Sequence, residues 1–160
     1  MLHRFVLGSC LACAATAAVV ELTDAGFEHT TQASTGQTTG RWVVFFQDLE
    51  TRPWAALADE LAQAAKHPGP LLNAGVNVAT VDVKANPNLA KRFGVAAGPW
   101  RLFADRQMYI GKLKPGVSTD TMAEFVTGGY LKETVGQRVP EPQSWIESGT
   151  WHTVPCPTTA

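Results

Sequence analysis

Trp42-Val43-Val44-Phe45-Phe46 is the segment that most restricts how this chain can fold. Every side chain in it is aromatic or β-branched, with none of the polar alternation of a strand that has one face in water. Both faces must therefore be covered, and the segment predicts the centre of a sheet with layers on either side. The chain then supplies a covering element. Pro53 stands where a helix can begin, Trp54, Leu57, Ala58, Leu61, Ala62 and Ala65 recur at helical spacing, and His67-Pro68-Gly69-Pro70 stops the run.

The rest of the chain continues the alternation. Val19 to Leu22 is a short apolar strand, and Thr23-Asp24 can cap a helix through Gly26-Phe27-Glu28-His29. Thr30 to Gly40 reads as loop. Val76 to Val83 is a second buried strand, and Pro87 to Phe93 makes a short helix with Gly94 as its C-terminal cap. Trp100 to Ala104, a turn at Asp105-Arg106, and Met108 to Leu113 predict an antiparallel hairpin. Ser118 can cap a last helix whose Met122, Phe125 and Val126 face the sheet. The expected fold class is α/β, a mixed sheet flanked by helices, in the order β-α-β-α-β-α-β-β-α. No internal repeat is visible.

The ends differ from this body. Met1-Leu2-His3-Arg4 is a basic head, Phe5 to about Val20 is nearly uninterrupted apolar or small sequence, and Ala15-Thr16-Ala17 fits an A-x-A cleavage site. Residues 1–17 read as a signal peptide, and the run is short of the roughly 20 apolar residues that an uncleaved membrane anchor needs. Cleavage would place the mature chain, with no membrane span, in the endoplasmic reticulum lumen or outside the cell. Residues 18–130 are the expected domain. Residues 131–160, rich in Pro, Ser and Thr, are expected to be an extended or disordered tail, with Trp145, Ile146 and Trp151 as isolated apolar residues.

Composition removes several function classes. The formal net charge of -1 offers no basic field for nucleic acid. His29, His67 and His152 lack the paired spacing of a zinc site, so neither a metal nor another cofactor is expected. The cysteines are Cys10, Cys13 and Cys156. Cys10 and Cys13 form a C-x-x-C, but they lie in the segment read as a leader. Cys156 alone cannot make an internal bridge, and between Pro155 and Pro157 it suits a mixed disulfide with another chain better than catalysis.

Several segments, in the right order and spacing, carry a family resemblance. Val19-Val20-Glu21-Leu22-Thr23-Asp24 with Phe27-Glu28, the stretch from Val76 to Pro99, and Glu124-Phe125-Val126 before Gly128-Gly129-Tyr130 resemble a thioredoxin-like domain of the protein disulfide isomerase family. The resemblance implies a thioredoxin-like fold. It also implies an aromatic-flanked Cys-Gly-His-Cys after the central strand, where a helix N-terminus lowers the first thiol's pKa. Here the strand runs instead into Gln47-Asp48-Leu49-Glu50-Thr51-Arg52-Pro53, in a loop about two residues shorter by that comparison. The buried carboxylate that the family keeps in the central strand is matched by Val44. Both thiols and their proton acceptor are absent together, a pattern that one lost cysteine would not produce. Asp48 and Glu50 would also raise the pKa of a thiol placed there.

Gly98-Pro99 is the active-site element that remains. In the resembled family this proline is cis, and the backbone before it pairs with extended substrate as a strand would. The candidate peptide edge is accordingly Gly98, Pro99, Trp100 and Trp54, although both tryptophans also suit core packing. Arg52 and Arg101 are candidates to bind a carboxylate in that groove, or are solvated charges. The reading is a redox-inactive binding module of the secretory pathway, a chaperone or adaptor whose partner is unfolded or extended polypeptide or another secretory-pathway protein. It leans away from an enzyme. The alternative is a residual protein disulfide oxidoreductase or isomerase using the single thiol Cys156.

Overall fold

A computed structural model describes residues 19–36, 38–48, 50–95 and 100–142. The strands are β1 (Val20–Glu21), β2 (Arg41–Gln47), β3 (Val76–Asp82), β4 (Trp100–Ala104), β5 (Gln107–Ile110) and β6 (Gln137–Arg138). The helices are α1 (Phe27–Thr31), α2 (Ala55–Ala64), α3 (Pro70–Asn73), α4 (Pro87–Arg92), α5 (Thr119–Glu124) and α6 (Tyr130–Glu133), the last two joined by a π-helical turn at Phe125–Gly129. The strands form one sheet in the order β1-β3-β2-β4-β5-β6. β1, β3 and β2 run parallel, whereas β2 with β4, β4 with β5 and β5 with β6 are antiparallel. This is the mixed sheet of a thioredoxin-like α/β fold, as expected.

β2 lies inside the sheet, and Trp42 to Phe46 are all buried. Because side chains alternate across a strand, the run divides between two cores. Val43 and Phe45 pack with Trp54, Leu57 and Leu61 at α2 and with Met122, Phe125 and Tyr130 at the C-terminal helices. Val44 and Phe46 pack on the opposite face with Phe27 of α1, Leu89 of α4, Phe93 and Phe103. Phe93 is the hub of that second core, with ring centroids 5.1, 5.6 and 5.3 Å from those of Phe27, Phe46 and Phe103.

Local chemistry sets the element ends. Ser118 caps α5 as expected, its Oγ accepting the Thr121 N–H at 3.3 Å. At α1 the first turn is closed by Thr23, whose carbonyl accepts from Phe27 N–H. Asp24 acts elsewhere: its carboxylate accepts the N–H groups of Asn88 and Leu89 at 3.3 and 2.9 Å, capping α4 across the fold. The Asn86 Oδ1 answers by accepting Asp24 N–H at 2.8 Å. These capping partners are distant in sequence, so a local reading assigns Asp24 to the wrong helix. The β4–β5 turn places Asp105 and Arg106 at φ 53° and 62°, the left-handed pair whose twist suits a tight hairpin.

The packed body continues past Tyr130, the expected domain boundary. Gln137 and Arg138 pair with β5, and Val139 is buried in the second core. Arg92 secures this return: its guanidinium pairs with Glu28, lies over the Phe27 and Phe93 rings, and donates to the Pro140 carbonyl through Nε at 2.8 Å. The β5 pairing, the buried Val139 and one cation distant in sequence hold the segment. Composition alone shows none of them. The expected leader and residues 143–160 lie outside the described residues. Among the described residues, no helix is long and apolar enough to cross a membrane.

Candidate functional site

The sheet brings the end of β2 beside the end of β3, with Gln47 opposite Asp82 in parallel register. From β2 the chain turns towards α2 at Asp48, whose carbonyl accepts from Thr51 and Arg52 N–H and whose Oδ1 accepts from Glu50 N–H at 2.9 Å. Lys84, just past β3, closes the turn. Its Nζ lies 2.8 Å from Asp48 Oδ2 and 2.9 Å from Glu50 Oε2. The Lys84 contact and the Glu50 N–H hold the Asp48 carboxyl below its ordinary pKa, while Asp48 and then Glu50 hold the Lys84 ammonium above its own. Where the resembled family has its dithiol, the turn after β2 thus carries two carboxylates that share a lysine reaching over from beyond β3.

Main-chain bonds beneath this cluster fix the two strands together. Val83 N–H donates to the Gln47 carbonyl at 3.1 Å, and the buried Gln47 side chain accepts Trp54 N–H at 3.4 Å. Asp82 is also buried; its Oδ1 accepts Lys84 N–H at 2.9 Å, and its carbonyl accepts from the Asn86 backbone and side chain. Gln47, Asp82 and Lys84 were not among the sequence candidates. Their signal was present as polar residues closing two otherwise apolar strands, but the partnership depends on parallel register.

The structure places both candidate tryptophans inside the protein. Trp54 is 1% exposed at the start of α2, its ring stacked on Phe45 at 5.5 Å. Trp100 is fully buried, edge-on to Phe125 at 5.1 Å, and its Nε1 donates to the Leu113 carbonyl at 3.3 Å. Of the two readings, core packing is the one these positions show. Both rings belong to the α2–α5 core and support the end of the sheet from within. Gly98 and Pro99 lie outside the described residues, as do His152 and Cys156.

Arg52 and Arg101, paired in the sequence reading as carboxylate ligands or solvated charges, separate in the structure. Arg52 is exposed, with φ 37° in the turn before α2. Arg101 is 5% exposed on β4, opposite Val44 on one side and Ile110 on the other. Its Nη1 donates to the Trp100 carbonyl at 3.1 Å, its Nε–H has no acceptor among the described residues, and burial lowers its pKa. The solvated reading therefore does not hold for Arg101. Among the described residues, no group of three or more His, Cys, Asp or Glu side chains is placed to hold a metal ion.

The chemistry of this region follows from the side chains present. Asp48 and Glu50 are acceptors and Lys84 a donor, all three mutually engaged, and no cysteine occurs between residues 19 and 142. No thiol is available there to attack or resolve a disulfide.

No family model matches the chain. A thioredoxin domain-containing protein of Theileria parva is 40% identical over 128 residues, which are 79% of this chain and 55% of that protein. The chain spans about half the length of the curated relative it matches. With the sheet order, the helices on both faces and this similarity together, the chain contains a thioredoxin-like domain.

Proposed function

We propose that this thioredoxin-like domain is redox-inactive, is related to the protein disulfide isomerases, and works in the secretory pathway as a chaperone or adaptor. Extended or unfolded polypeptide docks at the Gly98–Pro99 edge. The observation that carries the reading is the Asp48–Lys84–Glu50 cluster, in which Lys84 from beyond β3 closes the β2–α2 turn where the resembled family has its dithiol. A charged lock in place of the dithiol, with apolar Val44 behind it, supports a body kept for binding.

The relative's description as a thioredoxin domain-containing protein is compatible with this reading and names no substrate. Two assays test it. The full chain should fail to reduce insulin yet suppress thermal aggregation of an unfolded client, and Gly98→Trp should weaken that suppression without lowering the melting temperature. Insulin turnover that survives Cys156→Ser would overturn redox inactivity. Client protection unchanged in a folded Gly98→Trp protein would move the binding surface away from Pro99.

A further inference from the structure

Arg101 is a buried arginine whose guanidinium is incompletely hydrogen-bonded among the described residues. β4 is buried along its whole length, and the neighbours of Arg101 in register are Val44, fully buried, and Ile110. Among the described residues no carboxylate forms an ion pair with it. One Nη serves the adjacent Trp100 carbonyl, and the buried Nε–H has no partner among the described residues. A buried cation left without its counter-charge is strongly unfavourable, and an apolar side chain of similar volume would be the more stable occupant. The residue therefore carries a cost that folding does not explain.

We propose that Arg101 is the recognition group of a carboxylate-binding position on the α1–α4 face of the sheet, a role beyond the peptide edge at Pro99. The vacant Nε–H selects the ligand class. A carboxylate approaching side-on accepts from Nε–H and the neighbouring Nη in the planar, two-point geometry that guanidinium offers. A monoanion also balances one cation among apolar neighbours. A phosphate would bring more charge and more acceptors than a single guanidinium can satisfy. Ile110, directly across from Arg101 and on the same face, is 37% exposed, which makes the β5 side the proposed route of entry.

The test uses the full chain, as wild type, Arg101→Met and Arg101→Lys. Melting temperature is followed in sodium acetate against sodium chloride at matched ionic strength and pH 7. Acetate should raise the wild-type melting temperature in a concentration-dependent way, since a ligand that binds only the folded state stabilises it. Arg101→Met should lose the acetate-specific shift and melt no lower than wild type in chloride. Arg101→Lys keeps the charge but not the side-on fork, so it should also lose the preference for acetate over chloride. An equal acetate shift in all three proteins, or none in wild type, would overturn the assignment. N-acetyl-glutamate amide and N-acetyl-alanine then distinguish sources. A wild-type shift with the first alone assigns an acidic side chain, with the second alone a chain terminus, and with acetate alone a small free carboxylate.

Discussion

If Arg101 lacks only a carboxylate, one supplied from within the protein should be accepted where it would otherwise be intolerable. Val44→Glu supplies it. Val44 is fully buried and sits directly opposite Arg101 in the antiparallel β2–β4 pair. Directly opposed residues on one face have Cβ atoms about 4.5–5.5 Å apart, within reach of a Glu and an Arg turned towards each other. In an Arg101→Met background the new acid is an uncompensated buried charge, with an expected loss of roughly 3–5 kcal/mol. In the presence of Arg101 the loss should be smaller by about 0.5–3 kcal/mol, the coupling range of contacting groups. Urea unfolding of wild type, both single variants and the double variant at pH 7 closes the cycle. Val43→Glu is the control, since Val43 is equally buried but faces the other core. A coupling energy within about 0.5 kcal/mol of zero, the error of additivity for independent sites, would show that Arg101 does not present a free guanidinium to Val44.

Three further outcomes are expected. Gly111→Ala should destabilise by about 1–3 kcal/mol, because its Cβ would fall within the buried Trp100 ring, and Trp100→Leu should relieve much of that loss; equal losses in both backgrounds, measured by urea melts, would refute it. The Asp48–Lys84 pair sets two pH limits. The depressed Asp48 contributes above its unfolded pKa of about 3.9 and loses that contribution as pH falls through its lower folded value. The raised Lys84 contributes fully below about 10.4 and loses it as pH rises beyond its folded value, so the wild-type advantage over Lys84→Met should shrink at both extremes. A flat difference from pH 2 to about 12, a span that brackets both reference values, would deny the pair any role. Finally, Glu50→Cys with Pro53→Cys restores a C-x-x-C but should reduce insulin only weakly, because Asp48 disfavours a thiolate and Val44 offers no proton acceptor; activity comparable to a protein disulfide isomerase domain would show that the thiols alone were missing.

The features legible in the sequence were those set by local pattern. Trp42 to Phe46 announced a strand with two covered faces, and the helical spacing from Trp54 to Ala65 announced the layer over one of them. The hairpin turn and the Ser118 cap are also local, and both are present. The features that escaped depend on what the fold brings together. Asp24 caps α4 because β1 runs beside β3, the strand that leads into that helix. The π-helical turn before Tyr130 lies inside a segment whose apolar spacing reads as ordinary helix, so periodicity cannot reveal it. The stretch from Thr134 to Val139 reads as tail until Arg92, far away in sequence, is seen to hold the chain at Pro140.

The candidate site shows the same division and adds a lesson about charge. The absence of cysteine from the turn after β2 could be read directly, since it concerns which residues are present. The arrangement found there could not, because Asp48 and Glu50 look like ordinary acids at a helix start until parallel pairing sets Lys84 between them. Arg101 shows the converse. An arginine among Trp100, Leu102 and Phe103 passes for a side chain that reaches water, and only the two-sided burial of β4 makes its unsatisfied Nε–H significant. The resembled family keeps an acid in the central strand; this chain has an apolar residue there and a cation on the next strand, in register with it. The sign of the buried charge is opposite to the one the resemblance implies, and a buried cation favours an anion as its partner where a buried carboxylate would hold or release a proton.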